Sequence, residues 1–413
     1  MNKTRMIFLC SISFVLSLSA ATQEESVALQ SDDLMLPQNH RIALYLDCGT
    51  GNQEIRDGAL SLKQLTGEDR IFPNIKGALA AAAADPDQVI FEIEGFDPNK
   101  QYVLGFTWWD ADNKDRVQSV YFTAPSSAAE ECVLPPVRAC SFDADRSSWA
   151  RLLLPLTEPY VQDGSLRVAF KKESGADAVV NEIWLLESPA ATAAKRVVIV
   201  TGDDYWGHLW RSTAPALAAA LREVDGLEVS VTESPALLGS PLLFHYDAVV
   251  IHFKNYEDRL PLHRSCEKGL QAYADSGKGL TLTHFSCGAF ENWKGFERIA
   301  GRVYSPDLPA HDPHGPFALR MTDTTHPVTA QMEAFEVNDE LYTCLTGTTP
   351  ITVLCESISV VDKKVYPMAF IVDHDQARIF HCLLGHDASI YENPGARRLY
   401  QRGIAWAAGL LSH

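Results

Sequence analysis

Eleven of the chain's 13 histidines lie between His208 and His386, and four of them follow segments that read as buried strands. His208 comes after the apolar run Arg196 to Gly202, and His252 closes Ala248 to Ile251. His284 closes Gly279 to Thr283, and His386 follows Ile379 to Leu384. An imidazole changes charge near neutral pH, so it can bind a borderline metal ion or carry a proton. Three such rings suit a catalytic zinc site, which uses three protein ligands and keeps one position for water or substrate. His208, His284 and His386 are the candidate ligands for zinc or another divalent metal, with Glu340 or Asp339 as a fourth ligand or base. Without a metal, His284, His386, Glu340 and Asp339 suit acid–base work on a keto sugar or a glycosidic bond. Asp204, Trp206, His208, His252, His314 and Tyr342 are the expected substrate-binding residues. His311-Asp312-Pro313-His314 is a second pair, which Pro309, Pro313 and Pro316 place in a loop. Structural alternatives stand beside these. Asp339-Glu340 suits a helix N-terminus, where negative charge is favoured, and His326-Pro327 suits a turn.

No two of the candidate ligands share one helical turn, so the site depends on strand ends converging. From residue 196 to 413, apolar strands alternate with amphipathic helices expected at Ser212 to Leu221, Cys266 to Ala274 and Ala396 to Leu410. Continuous apolar strands are buried on both faces, and their alternation with helices predicts an α/β doubly wound parallel sheet. Such sheets bind ligands at the C-terminal strand ends. Residues 188–195 are small and read as a linker. Residues 35–187 read as an all-β sandwich, or jelly roll, because short β-prone runs such as Gln88 to Ile93 and Tyr102 to Phe106 alternate with Gly, Asp and Asn breakers. The alanine-rich stretch Ile75 to Ala84 is the exception and favours a helix. Trp108-Trp109 could stack on a sugar, but neighbours on a strand point to opposite faces, so at most one can face a cleft.

Formal net charge is −18, which opposes nucleic acid and anionic lipid as partners and suits a neutral ligand such as a carbohydrate. No phosphate-cradling motif calls for a nucleotide cofactor. Lys3 and Arg5, the apolar Met6 to Leu18 and the small residues to Ala21 read as a signal peptide over residues 1–21. The expected location is therefore periplasmic or secreted, with no membrane span after cleavage. Export permits disulfides, and Cys132 and Cys140, bracketing Pro135-Pro136, could close a short loop. Cys382, inside an apolar run, reads as a buried core residue.

Several ordered elements resemble the ThuA-like family. These are Ala248-Val249-Val250-Ile251-His252, Gly277-Lys278-Gly279-Leu280 running to His284, Gly301-Arg302-Val303-Tyr304, His314-Gly315, His326-Pro327-Val328-Thr329, Asp339-Glu340-Leu341-Tyr342, Leu384-Gly385-His386 and Gly403-Ile404-Ala405-Trp406. They span about residues 196 to 411. The resemblance implies a fold like that of class I glutamine amidotransferases and a link to trehalose and 3-keto-sugar use. Those amidotransferases place a nucleophilic Cys at a strand-to-helix elbow flanked by Gly. The nearest counterpart is Cys287 in Phe285-Ser286-Cys287-Gly288-Ala289, without the flanking glycines, so a Cys-dependent amidotransferase is not expected. Gly164 to Phe170 and Val179 to Leu185 resemble the closing strands of galactose-binding-like sandwiches. The reading that results is an exported sugar-processing hydrolase, lyase or isomerase acting on a disaccharide, glycoside or 3-keto-glycoside. The alternatives are a non-catalytic carbohydrate-binding protein and a structural component of a secreted complex.

Overall fold

The structure, a computed structural model, describes residues 35–73, 80–127, 129–141, 151–189, 195–202, 207–254, 264–290, 292–309 and 311–411. The expected signal peptide lies outside these residues, as do Asp204, Trp206 and most of the expected linker.

The N-terminal unit is built on two five-stranded antiparallel sheets. One runs in the order Leu152–Leu156, Lys100–Thr107, Glu182–Pro189, Arg41–Asp47, Asn52–Ile55; the other runs Glu131–Arg138, Val117–Thr123, Ser165–Ser174, Gln88–Glu94, Ser61–Gln64. Along Gln88–Glu94 every second residue is buried, the two-residue period of a strand with one face inward. The inward faces meet through aromatic edges: Phe106 of one sheet lies 4.9 Å from Phe170 of the other. Trp108 joins the same cluster, and both Trp108 and Trp109 are only 2% exposed, so neither offers a platform to a sugar.

The helix expected at Ile75 to Ala84 is not there over its described part. Ala81–Asp85 is a strand between Glu68–Ile71 and Ala178–Val180. Close packing explains the change. A Cβ added to Gly49 would fall 2.1 Å from the Ala81 Cβ, so only small side chains allow this backbone contact, and pairing overrides the helix propensity of alanine. Of the expected Cys132–Cys140 loop closure, Cys132 is a free thiol whose Sγ donates to the Leu134 carbonyl, and the Cys140 side chain lies outside what is described.

The C-terminal unit is a nine-stranded sheet ordered Leu227–Thr232, Lys195–Val200, Ala248–Ile251, Gly279–Thr283, Ile379–Cys382, Val365–Val372, Ile351–Ile358, Gly315–Met321, Phe335–Asp339. The first five strands are parallel, as their continuous apolar sequences require. The last four are antiparallel and extend the expected parallel sheet into a mixed one. Helices Trp210–Arg222, Arg264–Asp275 and Pro394–Ala407 match the three expected segments within a few residues. The last begins where Asn393 caps the amides of Gly395 and Ala396 and Pro394 takes the first helical position. Among the described residues no helix is long and apolar enough to cross a membrane.

The two units are joined at Arg151, whose Nε donates to Glu233 Oε1 at 2.9 Å, and at Ser240, whose hydroxyl donates to the Val133 carbonyl.

Candidate functional site

Four adjacent parallel strands end at one edge of the sheet, and each delivers a histidine there. The most constrained is His284. It follows Gly279–Thr283 directly, has φ +35°, and opens a short 3₁₀ helix, His284–Gly288. A left-handed conformation is costly for a residue with a Cβ and survives only where the surroundings impose it. Here Ser286 Oγ accepts the Thr283 amide at 2.7 Å, and Thr283 Oγ1 donates to the Ile251 carbonyl at 3.1 Å, fixing the turn on both sides. The strained elbow residue is therefore His284. Cys287 lies inside the 3₁₀ turn and is 2% exposed.

His284 Nδ1 donates to the Leu383 carbonyl at 2.7 Å, which leaves Nε2 facing the pocket. Nε2 lies 3.5 Å from Glu340 Oε2 and 3.1 Å from the Tyr342 hydroxyl. The same hydroxyl is 3.0 Å from His208 Nε2, and the His208 and His284 rings stack 4.7 Å apart. Burial keeps the Tyr342 phenol protonated, so it has one proton for two imidazoles. Burial, then the neighbouring His284, pushes the His208 pKa down to about 2, so this ring is neutral at physiological pH.

Glu340 follows the edge strand Phe335–Asp339, with Oε2 3.2 Å from His386 Nδ1 and Oε1 3.5 Å from His311 Nε2. Burial opposes its charge, yet the hydrogen bonds and charges of His284 and His386 hold its carboxyl well below the usual range. In return, the Glu340 carboxylate raises the pKa of His386 against the effect of burial. Glu340 Oε2 and His386 Nδ1 are both buried without a well-directed hydrogen bond among the described residues. One ligand atom from each of His208, His284, Glu340 and His386 lies within 4.8 Å of all the others.

Asp339, expected as a catalytic carboxylate, has another task. Its Oδ1 accepts the amides of Glu340 and His386 at 2.8 and 3.0 Å, and its Oδ2 accepts that of Gly385 at 2.7 Å. It positions the two flanking ligands and leaves neither oxygen for substrate. Asp339 also ends a strand rather than starting a helix, so the helix-terminus alternative does not hold. His252 is fully buried, with Nδ1 3.1 Å from the Thr201 hydroxyl and its ring against Phe285. It supports the pocket wall and cannot touch a substrate. His314 stands at the rim, 3.7 Å from Asp387 and with its ring 5.0 Å from His386.

His311 is the residue that strand-end reasoning missed. Its Nδ1 donates to the Asp312 carbonyl at 2.7 Å, aiming Nε2 at Glu340, and its side chain is 35% exposed. The available signal was the His311-Asp312-Pro313-His314 pair. What sequence could not show is the bridge between His311 and Tyr342 that folds this loop onto the site.

These residues fit a divalent ion of borderline character, zinc foremost, by donor type. Metal–ligand bonds of 2.0–2.2 Å in tetrahedral geometry put ligand atoms about 3.3–3.6 Å apart. The pairs at Glu340 measure 3.2 and 3.5 Å, while the whole group lies within 4.8 Å, so its ligands would draw together around an ion.

The ThuA family description, trehalose utilisation, matches residues 196–407. No curated protein matches the chain. Solved structures similar to it include a ThuA-like protein from Parabacteroides merdae, with 22% identity and TM-score 0.43 over 52% of this chain and 90% of that one. A ThuA-like protein from Bacteroides uniformis shares 15% identity, with TM-score 0.40 over 52% of this chain and 92% of its own. The N-terminal half is similar to a carbohydrate-binding module solved with β-1,4-galactotriose, at 13% identity and TM-score 0.20 over 31% of this chain and 88% of that one. Because the family match covers more than half of the 413 residues, the chain belongs to the ThuA, or trehalose utilisation, family.

Proposed function

We propose that the protein is a divalent-metal-dependent enzyme that acts on a disaccharide, a glycoside or its 3-keto form. The observation that carries this reading is the group His208, His284, Glu340 and His386, whose ligand atoms lie within 4.8 Å of one another at the strand ends. The family's description supplies the sugar class.

Held by three of these residues, with one position left open, such an ion would act as a Lewis acid on a carbonyl or hydroxyl oxygen of the sugar. The Leu383 carbonyl fixes the face that His284 turns inward, and the Tyr342 hydroxyl beside the Nε2 atoms of His208 and His284 would release the nitrogen that binds the ion. Asp339 keeps Glu340 and His386 in register. His386, His311 and His314 have 27%, 35% and 32% of their side chains exposed, so substrate must enter from their side. His311 Nε2 can give or take a proton there, since its Nδ1 proton is committed to the backbone. Export to the periplasm or beyond is part of the proposal and rests on residues 1–21. N-terminal sequencing of the mature protein tests it.

The enzymatic claim is tested by turnover of a 3-keto-disaccharide panel before and after chelation. Activity lost to chelator and regained with zinc, or with another divalent ion, supports the proposal. Sugar binding without product under every metal would leave a non-catalytic binding protein.

A further inference from the structure

A cavity of about 360 Å³ lies at the junction of the two units, apart from the histidine cluster. That volume falls within the range of small-molecule sites, about 300–1,000 Å³. The sandwich contributes Lys100, Gln101 and Glu158, and the α/β unit contributes Arg196, Glu228 and His245.

The wall mixes polar with a larger share of apolar surface, and its charges are balanced. Its two cations, Lys100 and Arg196, face two carboxylates, Glu158 and Glu228. Lys100 is already held by Asp57 and Glu187, with Nζ 2.6 and 2.9 Å from their oxygens, so its charge is not free for an anion. Burial, aided by Arg196 and Lys278, pulls the His245 pKa down to about 4, and burial also lowers that of His40. Both rings are therefore neutral at physiological pH. Arg196 lies close enough to Glu228 to favour its charge, so the wall carries no net positive charge for a phosphate or carboxylate.

Hydrogen-bonding capacity remains unused all the same. Arg196 Nε is buried without a hydrogen-bond partner among the described residues. Tyr102 and Tyr246 add aromatic surface to the wall. An open donor on a wall of no net charge, beside aromatic surface, matches the chemistry of a polyhydroxylated, uncharged molecule, which uses each hydroxyl both ways.

We infer that the junction cavity is a second binding site, which takes a neutral sugar between the two units. Because residues of both units line it, an occupied cavity ties the sandwich to the α/β unit. The inference does not rest on the histidine cluster being catalytic.

Calorimetric titration of the full chain with trehalose, and with glucose 6-phosphate as the charged comparison, tests it. The variants are Gln101→Trp, which fills the cavity, Arg196→Gln, which removes the unpartnered donor, and Glu340→Gln, which alters only the histidine site. The expected result is trehalose binding in the wild type and Glu340→Gln alike, weakened about tenfold or more by Arg196→Gln and by Gln101→Trp. Turnover at the histidine site should be unchanged in Gln101→Trp. If Gln101→Trp fails to fold, Arg196→Gln decides alone. Three results would overturn the inference: no heat with trehalose, which would mean that water alone fills the cavity; tighter binding of glucose 6-phosphate; or trehalose binding lost in Glu340→Gln but kept in Arg196→Gln.

Discussion

Asp339, at the end of the ninth strand of the C-terminal sheet, accepts the main-chain amides of Gly385 and His386, which follow the fifth. Three strands separate the two in the sheet order, so the antiparallel half must curl over the C-terminal edge of the parallel half. That curl brings Glu340 and Tyr342 to the histidines, and it makes Asp339 a fastening rather than a reagent. Replacing Asp339 with Asn removes the charge and one accepting oxygen while three amides still point inward. We expect a loss of about 1–3 kcal/mol in a denaturant titration. We also expect weaker metal retention, because His386 and Glu340 would shift together. Unchanged stability would contradict the fastening role.

The Tyr342 hydroxyl stands between the Nε2 atoms of His208 and His284. Tyr342→Phe keeps the ring and deletes only that group. Deleting a hydrogen bond to a buried polar group costs about 1–3 kcal/mol. A fall in turnover of about tenfold, with a melting temperature within a few degrees of wild type, is the expected outcome. Full activity would show that the hydroxyl only fills space.

Gly385 has φ +132°, and a Cβ there would sit 3.2 Å from both the His284 Cβ and the Tyr391 hydroxyl. Gly385→Ala adds backbone strain and presses on the elbow residue. The expected cost is about 1–3 kcal/mol of stability, with a fall in activity larger than stability alone explains. Normal turnover in a folded variant would mean that the position of His284 is not critical.

Glu182 is buried in the sandwich between the hydroxyls of Tyr45 and Thr107, at 3.0 Å from each. Desolvation by burial raises its pKa from 4.5 to about 7 in the folded chain, against those two hydrogen bonds. The folded state thus holds a proton that the unfolded chain gives up near its ordinary value. The stability it contributes is fully present below about pH 4.5 and is lost as pH rises through about 7, a change on the order of 3 kcal/mol. Glu182→Gln should flatten stability across that window and leave the variant more stable than wild type at pH 8. Chemical denaturation at several pH values reads this directly, and parallel curves for the two proteins would refute it.

The strand-end histidines were legible in sequence because continuous apolar runs fix both strand identity and the edge at which each strand ends. His208, His284 and His386 meet on that logic alone. The curl of the antiparallel half was not legible, since it depends on Asp339 reaching main-chain amides far away in sequence. For the same reason Asp339 read as chemistry and His311 as a loop residue. The elbow was sought at Cys287 because cysteine is the usual reagent there. Local residue type does not reveal that strain would fall three positions earlier, on His284. Ala81 to Asp85 shows the reverse failure, where a strong helix propensity gave way to close packing against Gly49. The Trp108-Trp109 pair shows the limit of alternation, which predicts opposite faces but not whether both are covered.

Metal content most directly tests the central claim. The full chain, purified without chelator or affinity metal, should carry close to one zinc or other divalent transition ion per molecule by elemental analysis. Glu340→Gln and His284→Ala should each lose most of it while keeping a cooperative melting transition. Metal-free wild-type protein with full turnover would contradict the account, as would metal that stays bound after either substitution.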